Sequence, residues 1–172
     1  MQSDAELVNA VLGGNKRAFE VLVKRYERPV RAVALDVLGD YHLATDVSQD
    51  AFVTAYENLD GLRKPVAFGS WLMKITRRCA LDCVRRKRDG ASLESVIPPP
   101  THHPDGQLDE EKQWLLTAVM KLPESERQVI MLRYFGDNRV NHVAEILGRS
   151  VGTVTKQLSR AQKRLRKMLR EA

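Results

Sequence analysis

Apolar residues recur at intervals of three and four along most of this chain, which is the spacing of the buried face of an α-helix. One such series is Phe19, Leu22, Val23 and Tyr26, and another is Val154, Leu158, Ala161, Leu165 and Leu169. The alternation of apolar and polar residues that is typical of a half-buried strand is found nowhere in the sequence. We therefore predict an all-α protein.

Capping residues and helix breakers divide this pattern into eight predicted helices. Ser3 and Glu6 form a capping box at the start of the first helix, which Gly13-Gly14 ends. Pro29 is expected to kink the second helix. The other predicted helices are a third from about Leu43 to Leu59, a fourth from Phe68 to Arg88, then Leu108–Lys121, Pro123–Phe135, Val140–Leu147 and a last one from Val151 to the end.

A segment rich in proline separates the two sets of helices. It contains Pro98-Pro99-Pro100 and Pro104 and shows almost no helical periodicity. We predict a flexible linker over residues 91–107, joining two small helical domains over residues 1–90 and 108–172. Fully extended, the stretch Ser92–Gly106 could span roughly 50 Å.

The 28 basic residues are concentrated in two blocks, although the formal net charge of the chain is only +6. Residues 65–90 hold seven basic and two acidic residues, and residues 124–172 hold eleven and five. Two basic blocks predict two contacts with a polyanion, one for each domain. No apolar run reaches the roughly 18 residues of a membrane span, and no signal-peptide pattern begins the chain, so we expect a cytoplasmic location without membrane insertion.

The thiols and imidazoles are not arranged for metal or redox chemistry. Cys79 and Cys83 are the only cysteines, and no second pair or suitably spaced histidine accompanies them. His102 and His103 lie in the proline-rich linker. We predict two reduced, partly buried thiols and neither a metal site nor a cofactor.

The last two helices predict a helix-turn-helix, because a short helix and a longer one are joined by a three-residue turn that contains Gly148. In such motifs the second helix enters the major groove of DNA. We predict that Val151 also belongs to the apolar series of this helix. The residues opposite that series offer hydroxyl and cationic donors to bases and phosphates. These residues are Gly152, Thr153, Lys156, Ser159, Arg160 and Lys163, flanked by Thr155 and Gln157.

The third helix carries a polar surface of a different kind. Asp46, Gln49, Asp50 and Glu57 surround Phe52. Carboxylates around an aromatic ring suit a protein-docking face, although an ordinary amphipathic helix can show the same pattern.

Four stretches of the chain together resemble bacterial extracytoplasmic-function (ECF) sigma factors of the sigma-70 family. They read TDVSQDAFVTAYENL, AFGSWLMKITRRCALDCVRRKR, LPESERQVIMLRYF and VAEILGRSVGTVTKQLSRAQKRLRK. The resemblance implies that residues 1–90 are sigma region 2, which docks on the polymerase clamp and opens the −10 element. It also implies that residues 108–172 are sigma region 4, which binds the polymerase flap and reads the −35 element.

The resemblance assigns roles to individual residues. The residues that match the polymerase-binding pattern are Asp46, Gln49, Asp50 and Phe52. The residues that match the −10 pattern, in the loop Asp60–Ser70 and the helix after it, are Asp60, Leu62, Arg63, Lys64, Trp71, Arg77, Arg78, Asp82, Arg85 and Arg86. The residues that match or border the −35 pattern are Arg149, Thr153, Thr155, Lys156, Ser159, Arg160 and Lys163. The implied partners are core RNA polymerase, promoter DNA and a cognate anti-sigma factor.

The chain departs from the family pattern at two places. Arg78 stands where relatives commonly carry an asparagine associated with the pocket for the extruded −10 base, so the base preference is open. Where the family shows Ser-Tyr-Glu-Glu-Ile-Ala before the reading helix, this chain has Arg139-Val140-Asn141-His142-Val143-Ala144. We therefore expect Asn138 or Asp137 to supply the cap of the short helix.

Two other classes of protein stay open from the residues alone. A stand-alone DNA-binding regulator would use only the helix-turn-helix and would bind its operator without polymerase. A small nuclease is less consistent with the sequence: Asp46 and Asp50 share a helix face, but no histidine or third carboxylate joins them at metal-ligand spacing, and there is no glycine-rich phosphate loop. We predict that the chain is not an enzyme and has no catalytic residues.

Overall fold

The computed structural model describes residues 2–90 and 110–170, and all regular structure in these two ranges is helical. The linker prediction for residues 91–107, with His102 and His103, lies outside the described residues. The helices are α1 (Asp4–Leu12), α2 (Lys16–Leu38), α3 (Tyr41–Glu57), α4 (Phe68–Gly90), α5 (Glu110–Met120), α6 (Glu124–Ile130), α7 (Val140–Leu147) and α8 (Val151–Arg170).

The N-terminal half is a bundle in which α2, α3 and α4 pack against one another, with α1 across α2. The predicted capping box at Ser3 and Glu6 is confirmed in both of its hydrogen bonds. Helix α2 runs through Pro29 as a single element and ends at Gly39, whose φ of 64° lies in the left-handed region that glycine adopts most easily.

The predicted ends of α3 were wrong by about two residues. The Asp40 side chain accepts a hydrogen bond from the Leu43 amide, so α3 begins at Tyr41, and it ends at Glu57. The chain then makes two short 3₁₀ turns, Leu59–Gly61 and Pro65–Ala67. The predicted start of the fourth helix at Phe68 is confirmed, so the segment Asp60–Ser70 that the resemblance assigns to the −10 element ends in the first turn of α4.

The C-terminal half is built on the helix-turn-helix of α7 and α8, which is confirmed, with α5 and α6 packed beside α8. The long predicted helix to Phe135 continues from α6 through a π-helical turn, Met131–Phe135. The predicted cap of α7 was wrong. Arg139 occupies the cap position, and its side chain makes no capping hydrogen bond. The buried side-chain amide of Asn138 donates to the carbonyls of Leu132 and Gly136 instead of capping α7.

The apolar series of α8 is confirmed only in its middle. Val154, Leu158, Ala161 and Leu165 are buried. Val151 and Leu169 were predicted to pack inward, but they are 46% and 39% exposed. They lie in the first and last turns of the helix, beyond the helices that cover its centre.

The two halves pack directly against each other. The rings of Tyr26 on α2 and His142 on α7 have centroids 6.0 Å apart. A Cβ atom added at Gly136 would lie 3.3 Å from Cβ of Ala32, so the backbone of the π-helical turn closely approaches α2. The halves also enclose a cavity of about 230 Å³ whose wall includes Val33, Met73, Met131 and Leu132.

Candidate nucleic-acid and polymerase interfaces

The acidic face of α3 is exposed, but its aromatic residue is not part of it. Asp46, Gln49 and Asp50 are exposed, whereas Phe52 is partly buried and packs against the core. At 100° per residue, Phe52 lies about 60° around the helix from Gln49 but about 120° from Asp46 and about 160° from Asp50. The partly buried Phe52 therefore borders the polar face at Gln49 and does not lie at its centre.

Val53 lies among these polar residues instead and was missed from the sequence. Its side chain is 57% exposed. Val53 follows Asp46 by seven residues, Gln49 by four and Asp50 by three, and this spacing alone would have placed it on the same face. We define the α3 surface as Asp46, Gln49, Asp50 and Val53.

The segment before α4 presents its charged residues to solvent. Asp60, Arg63 and Lys64 are exposed, whereas Leu62 is only 8% exposed and packs into the core. In this conformation Leu62 cannot touch a base. Val66 is 78% exposed at the second 3₁₀ turn and was not named from the sequence.

A single face of α4 carries four of the ten predicted −10 residues, Arg77, Arg78, Asp82 and Arg85. They line an open depression of about 350 Å³ whose wall consists of Lys74, Arg77, Arg78, Leu81, Asp82 and Arg85. Trp71 precedes this depression and is half-buried, with its ring centroid 6.0 Å from that of Phe68. Lys74, exposed one turn after Trp71 and one turn before Arg78, was missed although its spacing of three and four was visible.

The two arginines at the edges of this face have different surroundings. Arg86 is exposed. Arg77 is turned toward the junction of the two halves, where it forms ion pairs with Asp36 of α2 in the N-terminal half and with Glu124 of α6 in the C-terminal half. Phe68 is fully buried and is a core residue.

The outer face of α8 is assembled as the sequence predicted. Thr153, Thr155, Lys156, Ser159, Arg160 and Lys163 are all exposed. The Thr153 amide donates to Ser150 Oγ at 3.2 Å, which caps the helix. The Thr155 hydroxyl donates to the Val151 carbonyl at 2.9 Å, so its oxygen is left as an acceptor.

Arg149 has an internal role in this conformation. One of its terminal nitrogens donates to Gln128 Oε1 at 2.7 Å, and the other donates to Gln157 Oε1 at 3.2 Å and to the Ser125 carbonyl at 3.3 Å. These bonds tie the turn of the helix-turn-helix to α6. Arg149 therefore orients α8 rather than standing free beside Lys156.

The thiols and acidic groups form no metal centre within residues 2–90 and 110–170. Cys79 and Cys83 are free and partly buried. Burial raises the pKa of the Cys79 thiol above its usual range, against a hydrogen bond with Thr54, so this thiol is a poor nucleophile at neutral pH. No helix in the described parts of the chain is both long and apolar enough to cross a membrane.

Comparison with known proteins matches both halves to one family. Residues 22–89 match the model of Sigma-70 region 2, and residues 112–165 match the model of Sigma-70, region 4. The chain is 29% identical to the ECF RNA polymerase sigma factor SigW of Bacillus subtilis, over 95% of each protein. It is 30% identical to the RNA polymerase sigma-H factor of Pseudomonas aeruginosa, over 99% of this chain and 98% of that one.

Two solved structures are similar over most of the chain. CnrH in complex with the cytosolic domain of CnrY matches with a TM-score of 0.69 and 26% identity, over 99% of both chains. The sigma factor RpoE of Bartonella quintana, in complex with the anti-sigma factor NepR, matches with a TM-score of 0.59 and 26% identity, over 88% of this chain and 96% of that one. The protein therefore belongs to the ECF RNA polymerase sigma factors of the sigma-70 family, which are transcription initiation factors and not enzymes.

Proposed function

We propose that the three exposed surfaces divide the work of promoter-specific initiation. The α3 surface binds core RNA polymerase, the turns before α4 and its basic face bind and help open the −10 element, and the outer face of α8 reads the −35 element. Residues 1–90 and 108–172 act as the two domains, with residues 91–107 as their linker. The location is cytoplasmic, where the polymerase is.

The observation that carries this proposal is the outer face of α8. Hydroxyl-bearing and cationic side chains project from the second helix of a helix-turn-helix, while the opposite face of that helix is buried. Such a helix fits the major groove, where hydrogen-bond donors distinguish the base pairs. The basic face of α4 supplies a second contact with nucleic acid on the other half of the chain.

In vitro transcription over a promoter library, with core polymerase and with or without this chain, tests the function. We expect the chain to select promoters with a common −35 and −10 pair. If the chain bound one operator tightly without polymerase and selected no promoters with it, a stand-alone regulator would be the better description.

An anti-sigma factor is proposed as a further partner, since the similar sigma factor RpoE of Bartonella quintana forms a complex with the anti-sigma factor NepR. For this chain, the exposed cationic faces suit a partner that carries acidic residues. Such a partner would compete with DNA for these faces.

Reversal of charge at Asp50 is expected to weaken binding to core polymerase by about tenfold or more, which corresponds to a loss of at least about 1.4 kcal/mol and is the effect of an energetically dominant interface residue. Asp50→Arg is preferred to a change at Phe52, because Phe52 is partly buried and its replacement would change the stability of the fold as well as the affinity for polymerase. Val53→Asp should weaken binding similarly. The measurement is the dissociation constant for fluorescently labelled core polymerase, with Glu20→Arg, an exposed acidic position on α2, as the matched control. Equal affinity for all four proteins would exclude this surface.

Arg78→Asn is expected to change the discrimination between bases at one −10 position. The ratio of promoter activities for two bases at that position should change by about 5- to 150-fold, since a single base mismatch typically costs about 1–3 kcal/mol. The −35 preference should not change. The readout is the promoter library described above. Arg88→Asn is the control, because Arg88 is exposed on the same helix, about 15 Å further along it. An unchanged −10 profile would remove Arg78 from the base-reading set.

A further inference from the structure

The side chain of Tyr26 on α2 joins α1 to the start of α4. It is buried and only 3% exposed. Its hydroxyl donates a hydrogen bond to Oδ2 of Asp4 on α1, and its ring lies 5.5 Å from that of Phe68, the first residue of α4. One side chain of α2 therefore contacts both of the other helices.

Gly69, in the first turn of α4, leaves room for the Tyr26 hydroxyl. A Cβ atom at this position would lie 2.6 Å from Oη of Tyr26 and 3.1 Å from its Cζ, well inside the roughly 3.5–4.0 Å at which nonbonded atoms pack. The hydroxyl is thus enclosed between α4 and α1. We define the bridge as Asp4, Tyr26 and Gly69.

The bridge is closed at neutral pH and has a second link to α2. Burial and the bond to Asp4 raise the pKa of the Tyr26 phenol above its usual range, so its hydroxyl stays protonated and donates. Nη1 of Arg25 donates to Oδ1 of Asp4, and Nη2 donates to the Gln2 carbonyl at 2.8 Å. Two neighbouring residues of α2 therefore hold the start of α1.

Helix α1 lies against the segment between α3 and α4, which belongs to the proposed −10 surface. It contacts both 3₁₀ turns, Leu59–Gly61 and Pro65–Ala67, as well as α4. Leu7 of α1 is buried in the same apolar core as Leu59 and Leu62 of the segment. Helix α1 is therefore a wall against which this segment packs.

The backbone hydrogen bonds of the segment are local. The amides of Gly61, Leu62 and Ala67 donate to carbonyls three residues earlier, at 2.8–3.1 Å. Such bonds shape a turn but do not fix its place on the fold. The exposed Arg63 and Lys64 are therefore positioned by the elements that pack around the segment, α1 among them.

We propose that Tyr26 is a positioning residue for −10 recognition, which acts through the bridge by holding α1 and the start of α4 together around residues 59–67. This inference rests on the proposed function for the role of that segment at the −10 element. Tyr26 is buried, so its effect on DNA is indirect.

Tyr26→Phe in the full chain tests the bridge, because this change removes only the hydroxyl and keeps the ring in the core. Asp4→Ala removes the same hydrogen bond from the side of α1. Gly69→Ala disturbs the contact from the side of α4. A loosening effect of Gly69→Ala is informative because alanine ordinarily stabilises a helix relative to glycine.

Tyr41→Phe is the matched control. The Tyr41 hydroxyl is also hydrogen-bonded, since it accepts from Nη1 of Arg31 at 3.1 Å. Tyr41 begins α3 and lies about 24 Å along that helix from Glu57, after which the segment begins. Circular dichroism checks that all variants stay helical.

Hydrogen exchange of the free chain is the first measurement. Relative to amides in the middle of α3, the amides of Gly61, Leu62 and Ala67 should exchange about fivefold faster in the bridge variants, the effect of losing about one net hydrogen bond. Their relative rates should be those of the wild type in Tyr41→Phe.

A promoter library transcribed with core polymerase gives the second measurement. In the bridge variants, the ratio of promoter activities for preferred and other bases at −10 positions should fall by about fivefold, if the same loss of order reaches the DNA contacts. The −35 preference and the affinity for core polymerase should not change. A purely structural role would lower the activity of all promoters alike and leave the −10 ratios unchanged.

The outcomes are separable. Wild-type exchange rates at the segment in Tyr26→Phe and Asp4→Ala overturn the bridge. Faster exchange with an unchanged −10 profile overturns the role of Tyr26 in −10 recognition. If the wild-type chain selects no promoters, the proposed function fails and the −10 role fails with it, whereas the exchange result still decides whether the bridge holds the segment.

Discussion

Replacing Phe68 by alanine is expected to destabilise the N-terminal half by about 3–5 kcal/mol, the usual range for a fully buried phenylalanine. Phe68 is fully buried, and its ring lies 5.5 Å from that of Tyr26 and 6.0 Å from that of Trp71. Loss of the ring removes apolar burial and leaves a cavity between α2 and α4. Since whole domains are stable by only about 5–15 kcal/mol, this is a large fraction.

Thermal unfolding followed by circular dichroism measures the effect. A shift of about 2–4 °C per kcal/mol, typical of proteins of this length, gives a decrease in Tm of roughly 6–20 °C. Val66→Ala, two residues away and 78% exposed, should shift the free energy of unfolding by less than about 0.5 kcal/mol. If Phe68→Ala unfolded at the wild-type temperature but failed to open promoters, Phe68 would be a base-stacking residue and not a core residue.

Replacing Lys156 or Arg160 by alanine is expected to change −35 recognition. If the side chain contacts a base, the preference for that base should fall by about 5- to 150-fold, which corresponds to about 1–3 kcal/mol. The two side chains are exposed one turn apart on α8, while Val154, Leu158 and Ala161 hold the other face of the helix in the core. We expect Lys156 to contact a base or its immediate surroundings, and we leave Arg160 open between a base and a phosphate.

Salt dependence separates these two roles. A phosphate contact weakens binding to all sequences alike and reduces the salt slope by about 1, whereas a base contact changes the preference at one position. Alanine variants are compared across a −35 library at two salt concentrations. Arg170→Ala is the control, because Arg170 is exposed on the same helix about 15 Å beyond Arg160. If neither Lys156→Ala nor Arg160→Ala changed affinity or preference, α8 would not be the reading helix.

Local signals in the sequence determined the helices and the family. The capping box at Ser3 and the helix-turn-helix around Gly148 were predicted because each depends on residues within one or two turns of each other. The exposed face of α8 was predicted for the same reason, since periodicity states which side chains lie opposite an apolar series. The combination of sequence motifs also indicated the sigma family.

Only the tertiary structure decided which neighbour covers each face. Periodicity did not predict that Leu62 is buried or that Arg149 bonds within the turn of the helix-turn-helix. The clearest case is Asp36, whose partner Arg127 is 91 residues away in the sequence. A carboxylate on a helix has the same local sequence pattern whether it is solvated or buried, because its burial depends on which distant helix packs over it. The same packing brings Arg77 of α4 into contact with Asp36 and Glu124.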